Sequence, residues 1–261
     1  MPKLLNGLLI LALLAPLAAW AQTAEEKGLA IAQEADKRDT GWSDETADLK
    51  MILRNRHGDE STREIRTRTL EMNGDGDKSL SIFDTPADVK GTAFLSYTHA
   101  LKADEQWLFL PALKRVKRIS SNNKSGPFMG SEFAYEDLTS QEVQKYSYKY
   151  LRDESIDGHD TFVVERTPAY EHSGYTRLVT WVDQKMYRPI KVEFYDRKNE
   201  LLKTLTASNY QEYLGKFWRP GVMKMVNHQT HKSTDLFWQN YAFNTGLSDR
   251  DFDKNSLKRA R

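Results

Sequence analysis

Short runs in which apolar and polar side chains alternate with a period of two recur along most of this chain. In Pro189 to Tyr195, Ile190, Val192 and Phe194 point one way and Lys191 and Glu193 the other. Such alternation marks a half-buried antiparallel strand. Similar runs cover Leu49–Arg54, Ile65–Met72, Asp77–Phe83, Thr92–Tyr97, Gln106–Leu110, Tyr146–Arg152, Thr161–Arg166, Arg177–Val182, Leu201–Tyr213, Val222–His228 and Thr234–Phe243. Gly, Pro, Asn and Asp divide them, as strand-ending turns require. One segment breaks the pattern: Ala24–Asp39 is rich in Ala, Glu, Lys and Leu and is followed by Gly41, which predicts a helix and its stop. Thr85–Gly91 carries the chemistry of a single helical turn, with Thr85 as cap and Pro86 at its first position. Ser248–Phe252 is expected to form a last short helix. So many strands with so few helices predict a mainly β chain: a single large curved antiparallel sheet, in one domain over 22–261.

The first residues change the picture of where this domain works. Lys3, the apolar run Leu4–Leu17 and the small residues of Ala19-Trp20-Ala21 have the layout of a secretory leader, with cleavage expected after Ala21. The run is short for about 30 Å of hydrocarbon. The chain has no cysteine, so no disulfide and no acylated N-terminal cysteine can form. The mature protein is expected to be periplasmic and not lipid-anchored. Loss of Lys3 with the leader balances 37 basic against 37 acidic residues. A neutral chain without a basic stripe argues against nucleic acid as a partner.

Catalytic and metal-binding patterns are sparse. His228 and His231 stand three apart at a predicted strand edge, where such neighbours do not share a face. They make a weaker metal pair than turn histidines, and no cofactor motif is present. The chain is therefore expected not to be an enzyme. Aromatic residues carry more information. Trp107 and Phe109 alternate with Leu108 and Leu110, so both faces of that strand need cover, from core packing or from a ligand. Ser120–Tyr135 combines loop chemistry with Phe128, Met129, Phe133 and Tyr135. Either that loop packs into the core or it forms a movable lid hinged at Gly126 and Gly130. Lys114, Arg115, Lys117 and Arg118 form the densest basic cluster. They suit an anionic headgroup or an acidic partner surface, or else a solvated strand edge protected against pairing.

Three segments together, Asp84–Thr92, Trp107–Arg115 and Gly130–Asp137, resemble the outer-membrane lipoprotein-sorting proteins of the LolA-like superfamily. The likeness runs from the first helix to Phe252. It implies an open half-barrel whose mouth is plugged by helices or loops and whose concave face binds acyl chains or other hydrophobic ligands. It also implies an inner-membrane transporter of the resistance-nodulation-division (RND) type as partner. The expected function is carriage of a lipid, a lipoprotein acyl chain or another hydrophobic ligand to or from the outer membrane. The groove and lid candidates are Trp107, Phe109, Phe128, Met129, Phe133, Tyr135, Trp181, Phe194, Trp218 and Trp238. The alternative is an adaptor of the transporter that carries no ligand of its own.

Overall fold

The computed structural model describes residues 22–255 and 257–259. The expected leader and its cleavage after Ala21 lie outside the described residues. Helix α1 (Ala24–Arg38) opens the structure. Thr23 caps it: its side chain accepts from the Glu26 amide at 3.1 Å, and the Glu26 carboxylate accepts from the Thr23 amide at 2.8 Å.

Six strands follow as a meander: β1 (Asp44–Arg54), β2 (Glu60–Leu70), β3 (Lys78–Thr85), β4 (Ala93–Tyr97), β5 (Glu105–Leu110) and β6 (Arg115–Ile119). After residues 120–145 a second series begins with β7 (Tyr146–Ile156), β8 (His159–Pro168), β9 (Arg177–Asp183), β10 (Pro189–Tyr195) and β11 (Leu201–Ser208). A two-stranded hairpin, β12 (Gln211–Tyr213) and β13 (Phe217–Arg219), interrupts it before β14 (Val222–Asn227) and β15 (Ser233–Phe243) complete it. The two series join where β1 pairs with β15, giving one antiparallel sheet of 13 strands in the order 6-5-4-3-2-1-15-14-11-10-9-8-7.

This order decides what happens to the middle of the chain. Strands β6 and β7 are consecutive in sequence yet form the two edges, so the sheet stays open and residues 120–145 must cross from one edge to the other. Laid flat, 13 strands would span about 58 Å, which a connection of this length can bridge at a maximal reach of ~3.3–3.6 Å per residue. The crossing runs over the concave face and buries Phe128 and Phe133 there with Leu49, Met51, Ile65, Phe83 and Phe94.

The convex face has its own cover. Phe252 and Leu257, in the C-terminal turns Asp249–Phe252 and Leu257–Arg259, pack on Leu80, Ile82, Leu95, Trp107 and Phe109. The expected Ser248-capped helix is thus a single 3-10 turn, and Ser248 still receives its capping partner Asp251. Thr85–Gly91 holds a single turn, in which the Lys90 amide bonds the Pro86 carbonyl at 3.0 Å.

Candidate functional site

Along β9, Leu178, Thr180 and Val182 face the concave side, while Val179 and Trp181 pack on the convex side with Val163. Along β10, Val192 and Phe194 face the concave side; on β11 it is Leu205, and on β14 Met223 and Met225. These side chains form the apolar floor of a cavity of about 740 Å³ that opens to solvent. Helix α1 roofs it with Ile31, Ala32 and Ala35, and Phe133 closes it on the side of the crossing segment. Cavities of roughly 300–1,000 Å³ are the usual scale for small-ligand sites.

The floor is apolar, but one wall is charged. Arg219 bonds Asp39 at 2.8 Å and Glu45 at 2.7 Å, and Arg188 meets Asp39 at 3.0 Å. Burial works against the Arg219 charge, but Glu45 and Asp39 outweigh it and hold the pKa above its ordinary value. This cluster ties the end of α1 to β1 and β13 and fixes one end of the roof.

The crossing segment is pinned by buried polar contacts. Lys203 on β11 donates to the Asp137 carboxylate at 2.6 Å and to the Glu132 carbonyl at 2.8 Å. Asp137 also accepts from the Tyr175 hydroxyl at 2.8 Å and the Ala134 amide at 2.7 Å. Glu136 accepts from the Gly174 amide, Ser173 and Tyr170. Burial raises the pKa of Glu136 above the ordinary carboxylate value. Arg63 donates to the Met129 carbonyl at 2.5 Å. These contacts seat the segment on the concave face as a plug, and Gly130 serves a tight internal hairpin in which the Phe128 amide bonds the Phe133 carbonyl at 2.7 Å.

The rim near the β2–β3 turn carries a titrating group. The Asp77 carboxylate accepts from Ser140 Oγ at 2.9 Å and from the Met72 amide at 3.2 Å, and so holds the crossing segment to that turn. Burial pushes its pKa up to about 7. The folded protein therefore binds this proton more tightly than the unfolded chain does. The stability that results is complete below the ordinary carboxylate pKa of 3.8 and is lost as pH rises through about 7. Asp77→Asn can keep both hydrogen bonds without the charge. It should raise the melting temperature at pH 8 and change it little at pH 4; an equal effect at both values would contradict this assignment.

Of the ten groove and lid candidates, Phe133, Phe194 and Trp218 line the cavity. Phe128, Met129, Tyr135 and Trp238 pack into the concave core beside it. Trp107, Phe109 and Trp181 are corrected: they project from the convex face, the first two under the C-terminal turns and the third beneath Lys191, whose ammonium lies 4.2 Å from its ring. The reason is the period of two, because a choice of face that is wrong by one residue reverses every side chain on a strand. Lys114, Arg115, Lys117 and Arg118 are exposed on and just before edge strand β6. His228 and His231 lie at the β14–β15 turn, with His228 Nε2 2.8 Å from Thr204 Oγ1. Among the described residues no group of three or more His, Cys, Asp or Glu is placed to hold a metal ion, and no helix is long and apolar enough to cross a membrane. Sequence reasoning missed Arg166, Arg188, Arg219 and the α1 roof. A signal existed for Arg166, which shares a strand face with Val164.

Comparison with known proteins agrees with this architecture. A family model described as an uncharacterized protein matches residues 75–259. An outer membrane lipoprotein-sorting protein domain from Vibrio parahaemolyticus is 60% identical, with a TM-score of 0.89 over 90% of this chain and 100% of that one. A DUF1329 family protein from Desulfovibrio piger is 31% identical, with a TM-score of 0.85 over 90% and 99% of the two chains. A LolA superfamily protein from Nitrosomonas europaea has the same fold at 24% identity, with a TM-score of 0.70 over 90% and 99%. No curated protein matches the chain.

Proposed function

The chain belongs to the outer membrane lipoprotein-sorting protein family of the LolA-like superfamily, and from that premise we propose that it is a periplasmic carrier, a single domain over 22–261 freed from its leader, that shelters a hydrophobic ligand. The observation that carries this reading is the 740 Å³ cavity between α1 and the floor of β8–β14. An acyl chain exposed to water costs about 0.8 kcal/mol per CH₂. A protein that moves such a chain through an aqueous compartment must cover that surface, and a floor of Val192, Leu205, Met223 and Met225 offers the contact. The two methionines adapt to tails of different shape. The plug occupies the other half of the concave face, so ligand and plug lie side by side rather than competing for one position.

An inner-membrane RND-type transporter is the proposed partner. Exposed edge strand β6, with Lys114, Arg115, Lys117 and Arg118 on and beside it, is the surface offered to it or to anionic headgroups.

Filling the cavity from its roof tests the carrier reading. Ala32 faces the cavity from α1, so Ala32→Trp places a large ring in the ligand's space without cutting into the sheet. Native mass spectrometry of protein purified from a periplasmic fraction should show a co-purifying lipid or acylated species, lost in Ala32→Trp. A protein that carries nothing and takes up no added phospholipid or lipopeptide would favour the ligand-free transporter adaptor.

A further inference from the structure

Among the described residues, five buried side-chain polar atoms lack a hydrogen-bond partner, and three belong to residues lining the cavity: Arg166 Nε, Thr180 Oγ1 and Arg188 Nε. All three can donate, so what the wall lacks is an acceptor. Arg166 is the most exceptional of the lining cations. Arg188 and Arg219 have carboxylate partners, whereas no carboxylate lies within 4 Å of Arg166 among the described residues. Its Nη1 donates instead to the neutral Gln141 amide at 2.7 Å, and its guanidinium carbon lies 5.2 Å from the Tyr146 ring.

Arg166 is half-buried: Nη1 reaches its Gln141 partner at the exposed side, while Nε is shut off from water with no acceptor, which is costly for a polar group. The neighbouring carboxylates do not answer it: Glu136 is taken up by Tyr170, Ser173 and Gly174, and Asp137 by Lys203, Tyr175 and Ala134. Thr180, only 4% exposed, stands close by. Arg166 pairs with Leu178 and Val164 with Thr180, so Arg166 and Thr180 are diagonal neighbours on one face of the β8–β9 ladder. Such positions lie on the order of 7–8 Å apart.

We infer that Arg166, assisted by Thr180, is the anchor for an oxyanion at the polar end of an amphiphile whose tail runs along Val192, Leu205 and Met225. This rests on the carrier reading and adds to it the chemical class of the ligand: a carboxylate or phosphate monoester on a long apolar tail, in preference to a neutral lipid. Thr180 supplies the second hydrogen bond, and the apolar floor removes the competition of water that would otherwise weaken the charge-assisted pair.

Three probes with one tail length separate the possibilities. Palmitate, hexadecyl phosphate and hexadecanol are titrated by displacement of an apolar fluorophore from the protein after removal of any bound lipid. A charge-assisted hydrogen bond predicts that at least one anionic probe binds about ten- to a hundredfold tighter than hexadecanol. That margin should vanish in Arg166→Gln, survive in part in Arg166→Lys and shrink a few-fold in Thr180→Val. Unchanged hexadecanol binding in Arg166→Gln would show that its cavity is intact. Which anion is preferred tells a carboxylate ligand from a phosphate one. Equal binding of all three probes by the unaltered protein would overturn the oxyanion anchor and leave the carrier standing. Failure of every probe to bind would overturn the carrier and the anchor with it.

Discussion

Lys203→Met should destabilise the protein by about 3–5 kcal/mol, the usual cost of stranding one member of a buried ion pair. Lys203 and Asp137 side chains are 4% and 6% exposed, and their charged atoms lie 2.6 Å apart. The ammonium sits between two aromatic rings, 5.1 Å from the centre of Phe194 and 5.3 Å from that of Tyr175. Methionine fills much the same volume, so the loss is electrostatic rather than a cavity. Asp137 would keep two donors, Tyr175 Oη and the Ala134 amide, but its charge would be left in the core without a cation. The consequence reaches beyond stability, because this pair joins the sheet to the plug and the Phe133 that closes one side of the cavity. Denaturant unfolding reads the energy, and limited proteolysis between 120 and 145 reads the release of the plug. Adding Asp137→Leu to Lys203→Met should recover part of the loss, since no buried charge then remains. A loss below about 1 kcal/mol in the single variant would mean that the pair does not hold the plug.

The strands were the legible part of this fold because their signal is local. Ile190, Val192 and Phe194 announce a half-buried strand without reference to the rest of the chain, and the structure has β10 there. Arg115–Ile119 is absent from the alternating runs because three of its five residues are charged, and only the reading of its basic cluster as a solvated strand edge pointed to the strand that stands there. The pairing of β1 with β15 is a contact across nearly the whole described chain, and no short window encodes it. Yet that pairing places β6 and β7 at opposite edges and forces the crossing segment over the concave face. The place of the plug therefore depended on topology rather than on the glycines inside the segment. The cavity was half legible. Its floor follows from alternation on β10 and β14, but its polar wall includes Arg166, which stands in an apolar register, and a lysine in such a register holds the plug beside it. Lys203 shares its face with Leu205 and Ala207, as Arg166 does with Val164. A charge on an apolar face is a readable anomaly, and here one such charge holds the plug while the other stands without a counter-ion.

Gly28→Ala should lower stability where helix propensity alone predicts a gain. In the middle of a helix, alanine is favoured over glycine by about 1 kcal/mol. Gly28, however, is buried where α1 meets β7, and a Cβ there would come within 2.8 Å of the Tyr150 amide nitrogen and 2.9 Å of that of Lys149. Both are backbone atoms of a paired strand, so no rotamer change relieves the overlap and the helix itself must move. Overpacking of this kind costs about 1–3 kcal/mol, and with main-chain atoms on the strand side the upper part of that range applies. The expected net loss is about 2 kcal/mol, or roughly 5 °C in Tm for a domain of this size. The displaced helix carries Ile31, Ala32 and Ala35, the roof of the cavity, and breaks the stacking of Lys27 over Tyr150 at 3.5 Å. Ligand should then dissociate faster from Gly28→Ala even at temperatures where the protein remains folded, because the roof stands further from the floor. A rise in Tm with an unchanged dissociation rate would show that α1 does not depend on this close approach. The sequence feature that looks like a weakness of the helix would then have no part in closing the cavity.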